Sequence, residues 1–276
     1  MDLKIAADRA RQGDRQALGH LVEAIQDDLY RLALRMLYHP QDAEDATQEI
    51  LIKIVTNLAG FRGDSAFRTW AYRVACNHLL TTRKRRAERW ALTFETCGAM
   101  IDPSAVGRAG DGLAGWTEGE RRLLVKEMRL WCLQGMLLCL DRKHRLAFIL
   151  GAVLEMSGAE AAALLEIPAA TFRKRLSRAR SELHGFMRQH CGLLRSTNPC
   201  HCAQQLPATM RAGHIQPDRL LFTTHPVRER VTTAAAELAG DMDELGLVSS
   251  LHRDHPEYAA PDAILQRLRR TLGQEA

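Results

Sequence analysis

A chain of 276 residues, 46% apolar and 26% charged, can bury one or two sizeable cores, so an intrinsically disordered protein is excluded and two or three small domains are expected. The net charge of +5 is mild, but five basic side chains fall within residues 83–89 and five more within 173–180, and that local concentration points to a polyanionic partner. No apolar run approaches the ~20 residues of a membrane span, and the opening MDLKIAADRARQGD has no signal-peptide core, so a cytoplasmic protein with no membrane partner is expected. Aromatic residues make up only 5%, strand-type alternation is nearly absent, and Ala, Leu, Arg and Glu dominate, which predicts an all-α fold.

Residues 3–38 read as two helices broken at Gly13 and Asp14, with Leu18, Leu21, Val22, Ile25, Leu29, Leu32 and Met36 at spacings of three and four. His39 and Pro40 interrupt, and a new helix begins in the acidic QDAEDATQE, its carboxylates near the positive helix end. Ala43, Thr47, Ile50, Ile54 and Leu58 form its buried face. Asp45, Gln48, Glu49 and Ile52 project from the other side as a candidate partner-binding patch, since an exposed Ile beside two acids is an unusual solvent face.

Next comes FRGDSAFRTWAYRVACNHLLTTRKRR, residues 61–86, a Gly-containing loop running into a helix over 67–84. Phe67, Trp70, Ala71, Val74 and His78 share the apolar face. Arg73, Asn77 and Lys84 form a second stripe, bounded by Arg83, Arg85, Arg86 and Arg89. An Asn can pair two-pronged with a base edge while flanking cations hold phosphates. Read alone, the same stripe also fits an ordinary solvated helix terminus.

Residues 90–120 lose helical periodicity and collect six glycines and Pro103, which predicts a flexible linker. Helical spacing returns over 121–150, with Leu124, Met128, Trp131, Leu138, Ala147 and Phe148 as core candidates. In 156–187 Ser157 can cap a helix, Pro168 can start another, and a basic helix follows, the punctuation of a helix-turn-helix. Phe172, Leu176, Ala179 and Leu183 face inward. Lys174, Ser177 and Arg178 point outward, flanked by Thr171, Arg173 and Arg175, a set suited to a major groove.

These stretches resemble the extracytoplasmic-function group of bacterial RNA polymerase sigma factors. FRGDSAF, TWAYRVACN and RKRR are similar to the loop and helix that capture the promoter −10 element. The resemblance implies that Asn77, with Arg73, Lys84, Arg85 and Arg86, contacts an unstacked base and its strand, and that Gly63 to Phe67 help wall the pocket. DAEDATQE resembles the helix that binds the clamp helices of the largest polymerase subunit, which assigns Asp45, Gln48, Glu49 and their neighbour Ile52 to polymerase binding. ATFRKRLSRAR resembles the recognition helix for the −35 element, which implies DNA contacts from Thr171, Arg173, Lys174, Arg175, Ser177 and Arg178. Ala170 and Lys174 depart from the usual small residues there.

The implied organisation is a region 2-like domain over 1–89, a linker over 90–120, a region 4-like helix-turn-helix domain over 121–188 and a helical C-terminal extension over 189–276. Core RNA polymerase and promoter DNA are the implied partners, with an anti-sigma factor as a further candidate.

Of seven cysteines, Cys76, Cys97, Cys132 and Cys139 stand singly, which argues against a disulfide scaffold. HCGLLRSTNPCHC, residues 190–202, is different: a turn at Asn198 and Pro199 brings its ends together, and Cys191, Cys200 and Cys202 with His201, or with His190 or His214, could supply a structural or sensory zinc site. A redox-active cluster and three uncoordinated thiols are the alternatives. Promoter recognition itself requires no cofactor. Further amphipathic helices are predicted over 227–238 and 261–272, with Leu220, Leu221, Phe222, Val231, Leu245, Leu247, Ile264, Leu265 and Leu268 as a small core that docks on the promoter-binding domains or binds a regulator.

No G-x-S-x-G, H-E-x-x-H or P-loop motif is present, and no paired carboxylates lie outside the acidic helix, so no enzyme is expected. The competing readings are a metal- or redox-responsive helix-turn-helix regulator that does not bind polymerase, and a zinc-dependent interaction module.

Overall fold

In a computed structural model, residues 2–82, 92–102, 104, 115–224 and 243–271 are described, and every regular element among them is helical. The first unit is built by α1 (Leu3–Arg11), α2 (Arg15–Leu37), α3 (Pro40–Thr56) and α4 (Phe67–Thr81). The break between α1 and α2 lies where Gly13 takes φ 92°, and Asp14 caps α2 by accepting from the N–H groups of Gln16 and Ala17. Those bonds, with Arg9, hold the Asp14 carboxyl below its ordinary range. Leu21, Val22, Ile25, Leu29, Leu32 and Met36 are buried, as the spacing predicts. Tyr38 turns the chain with φ 71°, and Pro40 starts α3. Phe61 and Phe67 pack edge to face and both meet Trp70 at a tilt, with ring distances of 5.5–5.8 Å, and seat the loop before α4.

The second unit differs from the sequence expectation in where its helices stop. α6 (Glu118–Leu138) starts within the predicted linker, because Thr117 and Glu120 form a reciprocal capping box. The single stretch over 121–150 is two helices, α6 and α7 (Arg142–Phe148), since Asp141 caps the second by accepting from Lys143 and His144 N–H. Buried Arg145 stitches this break, donating to the carbonyls of Leu137 (2.8 Å), Leu140 (2.9 Å) and Met36 of α2. A π-turn over Ile149–Val153 leads to α8 (Gly158–Leu164) and α9 (Ala169–His190). A Cβ at Gly151 would meet Leu176 at 2.7 Å, so glycine lets α9 pack closely there.

Two features correct the predicted linker and extension. The linker holds a short helix, α5 (Phe94–Ala99), capped by Thr93 and packed through Phe94 on Phe186 of α9 at 5.4 Å. Beyond the helices the sequence predicts, the extension contains α10 (Cys202–Arg211), which carries Pro207 inside it, and α11 (Glu244–Arg253). Its α12 (Asp262–Thr271) matches the expected helix. The helix predicted over 227–238, with Val231, lies outside the described residues. Leu245 is exposed rather than core, while Phe222, Ile264 and Leu268 are buried.

The units do not stand apart. One apolar cluster runs from Leu29, Tyr38 and Ile50 through Leu146 and Phe172 to Phe222 and Ile264. Buried Glu127 of α6 accepts from the N–H groups of Leu221 (2.7 Å), Phe222 (3.1 Å) and Thr223 (2.8 Å), which holds Phe222 edge-on against Tyr38 at 5.6 Å. The extension is thereby pinned at the junction of both units.

Candidate functional site

Three faces carry the predicted site residues. On α4, Asn77 is exposed beside half-buried Arg73. Its carbonyl accepts from the Thr81 hydroxyl at 2.7 Å in the last helical turn. The Arg73 guanidinium lies 3.5 Å from Glu166, which sits in the turn between α8 and α9 with φ 52°. A carboxylate of the helix-turn-helix thus faces a cation of the α4 stripe. Lys84, Arg85 and Arg86 lie outside the described residues, as do Arg83 and Arg89, and α4 ends at Thr81 rather than near 84.

On α9 the predicted division of faces is present. Phe172, Ala179 and Leu183 are buried and Leu176 is partly buried. Arg173, Lys174, Ser177 and Arg178 are exposed, and with Ser181 and Glu182 they line one shallow basic surface. Thr171 and Arg175 are half-buried on its flanks. Arg178 donates to Glu182 at 2.8 Å, an exposed i, i+4 pair that DNA phosphates can replace at little cost.

On α3, Asp45 and Gln48 are half-buried and Glu49 is exposed. Ile52, expected to be exposed, packs partly buried against the core. Glu49 lies 3.3 Å from Nε2 of buried His78, whose Nδ1 is 2.9 Å from Lys53 Nζ, so the acidic face is tied to α4 behind it. This face is not bare. α12 lies along α3, and Arg267 stands 3.2 Å from Glu44 and 3.8 Å from Asp45. Burial raises the Glu44 carboxyl above its ordinary range, and Arg267 opposes that shift.

The cysteine corner is larger than the sequence suggested. The turn at Asn198 brings the ends of 190–202 together: Cys200 N–H donates to the His190 carbonyl at 3.0 Å, and Gly192 N–H to the Cys200 carbonyl at 2.9 Å. The Asn198 amide caps α9 by donating to the carbonyls of Met187, Arg188 and Cys191. Cys97, Cys132, Cys191 and Cys200 line one apolar cavity of about 240 Å³, and Cys202 opens α10. Burial pushes the thiols of Cys132, Cys191, Cys200 and Cys202 up, to about 12 for Cys200 and about 11 for Cys202. Among the described residues no three His, Cys, Asp or Glu side chains are arranged to hold a metal ion. The His201 ring packs over Gly192, where a Cβ would meet it at 2.6 Å.

Sequence reasoning missed Glu166, Arg267, Cys132 and the neighbouring thiols Cys97 and Cys139. None lies in a motif with its partner, and Arg267 is 223 residues from Glu44.

The sigma-70 region 2 family model matches residues 21–89 and the sigma-70 region 4 model matches residues 130–183. The chain is similar to the ECF RNA polymerase sigma factor SigW of Bacillus subtilis, 28% identical over 188 residues, covering 68% of this chain and 98% of the relative. It is 31% identical over 190 residues to the ECF RNA polymerase sigma-E factor of Escherichia coli, covering 65% of this chain and 91% of the relative. Among solved structures it is similar to CnrH in complex with the cytosolic domain of CnrY, with a TM-score of 0.46 and 25% identity over 67% of this chain and 96% of that one. About a third of the chain therefore has no counterpart in these two sigma-factor relatives.

Proposed function

The chain belongs to the extracytoplasmic-function group of RNA polymerase sigma factors, and from that premise we propose which side chains serve this initiation factor as it binds core RNA polymerase and directs it to promoters. Asp45, Gln48, Glu49 and the edge of Ile52 on α3 meet the polymerase. Arg173, Lys174, Ser177 and Arg178 enter the major groove of the −35 element, with Thr171 and Arg175 on its phosphates. Asn77 holds an unstacked −10 base, while Arg73, Lys84, Arg85 and Arg86 hold the strand. A base pocket that accepts only an unstacked nucleotide binds the open strand in preference to duplex, and that difference in affinity shifts the melting equilibrium.

The observation that carries this reading is the exposure of two separate polar faces, Asn77 on α4 and the basic row on α9, each within one of the two matched regions. A helix-turn-helix regulator that never touches polymerase is not favoured, because the match includes region 2 as well as the helix-turn-helix. No helix among the described residues is long and apolar enough to cross a membrane, and we place the protein's work in the cytoplasm.

In the packing described, Arg73 faces Glu166 and Asp45 faces Arg267, so both interfaces are partly occupied by the chain itself. We propose that this is a resting arrangement, in which the extension holds the α3 face until polymerase displaces α12. Run-off transcription with core polymerase tests the assignment of residues. Asn77→Ala and Arg178→Ala are expected to lower promoter-dependent product at least tenfold each at limiting protein, and unchanged product from both would refute it.

A further inference from the structure

Six of the seven cysteines lie around the junction of α5, α6, α9 and α10, while Cys76 is buried apart from them in the first unit. Within that group the sulfurs of Cys97 and Cys139 are 3.4 Å apart, across 42 residues of chain. Cys97 belongs to α5, in the segment joining the two units, and Cys139 is the residue that ends α6. We propose that Cys97 and Cys139 are a redox modification site, a thiol pair that hydrogen peroxide converts to a reversible disulfide, clamping the inter-unit segment to the second unit.

The geometry requires little movement. A disulfide needs its sulfurs at ~2.05 Å, so closing the gap takes side-chain rotation rather than a change of fold. Cys139 stands where the backbone leaves α6, free of the full helical ladder. The pair is also chemically unequal. The hydrogen bond with Cys139 lowers the Cys97 thiol below its ordinary range against an opposing effect of burial, and the same bond raises Cys139. In this proposal Cys97 is the attacking thiolate and Cys139 the thiol that resolves it. Cys97 lines the cavity of about 240 Å³ and Cys139 does not, so a small oxidant such as peroxide entering there meets the Cys97 sulfur first.

The steps balance. The Cys97 thiolate attacks one peroxide oxygen, an S–O bond forms, the O–O bond breaks and hydroxide leaves, giving a sulfenic acid at Cys97. The Cys139 sulfur then attacks the Cys97 sulfur: an S–S bond forms, the S–O bond breaks, and the departing hydroxide takes the Cys139 proton as water. With the proton that Cys97 first gave up, two thiols are oxidised by two electrons and one peroxide becomes two waters. A dithiol reverses the bridge by exchange.

The consequence follows from chain length and rests on the function proposed above. About 35 residues separate Thr82, after α4, from Thr117, before α6, enough to reach ~115 Å at full extension. With Cys97 bridged to the end of α6, about 15 residues remain between Thr82 and the clamp, a reach of ~50 Å. A shortened tether keeps the two DNA-binding units near one another and opposes their separation along a promoter.

The test uses the full-length reduced protein, titrated with hydrogen peroxide, denatured and labelled with a maleimide polymer. Wild type is expected to fall from seven free thiols to five, with peptide mapping placing the bridge between Cys97 and Cys139, while Cys97→Ser and Cys139→Ser each block it. No thiol loss, or bridges mapped only among Cys132, Cys191, Cys200 and Cys202, would overturn the site. Cys139→Ala serves as a second variant, and thermal melting verifies its fold. In run-off transcription, peroxide is expected to lower wild-type product several-fold, dithiothreitol to restore it, and Cys139→Ser to be indifferent to both. A mapped bridge without change in transcription would overturn the tethering effect alone. Failure of the reduced wild type to initiate would instead count against the sigma-factor assignment of residues.

Discussion

Arg267 of α12 and Glu44 of α3 approach to 3.2 Å, joining the last described helix of the chain to the acidic helix near its start. Ile264 and Leu268 lie beneath the pair, 0% and 3% exposed, and the buried Asp27 carboxylate accepts from Ala260 N–H at 3.0 Å just before α12. The docking is thus mainly apolar, with each buried side chain contributing about 1.5–3 kcal/mol and the partly exposed ion pair about 1 kcal/mol or less.

If α12 competes with polymerase for α3, weakening its docking strengthens polymerase binding. Arg267→Glu is expected to raise affinity for core polymerase about two- to fivefold, and Ile264→Asp by tenfold or more, measured by fluorescence anisotropy of labelled protein. Lower affinity from both variants would mean that α12 supports the polymerase face instead of covering it.

Glu166 makes a second self-contact, with Arg73. Its positive φ suits Asn, so Glu166→Asn removes the charge without adding backbone strain. Stability is expected to change by less than about 0.5 kcal/mol. Binding of a −10 single strand is expected to tighten a few-fold, because Arg73 and a repulsive carboxylate are both released. Weaker strand binding would show that the pair helps to present Arg73.

Acid should loosen the extension. His252 and His255 are buried with ring nitrogens unpaired, and burial, with Arg35 of α2 adding to it, pushes His252 down to about 3 and His255 well below its ordinary value. Arg129 of α6, paired with Asp254 at 3.9 Å, and Tyr258 complete the polar surroundings, while the Phe148 ring meets His252 edge-on. The folded values lie below the unfolded ~6.5, so the unfolded chain binds more protons in acid. The stability they allow is full above pH 6.5 and is lost as pH falls toward 3. A decrease of about 1–2 kcal/mol per histidine is expected between pH 7 and 5, measured by urea unfolding, and His252→Phe should flatten the profile. A flat wild-type profile would contradict neutral buried rings.

By itself the sequence determined what acts within a helical turn or two. Asp14, Pro40 and Ser157 set helix starts close by in the chain, and spacings of three and four separated the buried Phe172 and Leu183 from the exposed Arg173 and Arg178. Local rules failed where a cap fell inside a periodic stretch, as at Asp141. Only the tertiary structure decided which faces meet. Glu127 finds the N–H groups of residues 221–223, Cys97 finds Cys139, and Arg267 finds Glu44 because burial of a shared apolar core brings distant helices together, and no spacing along the chain encodes that crossing.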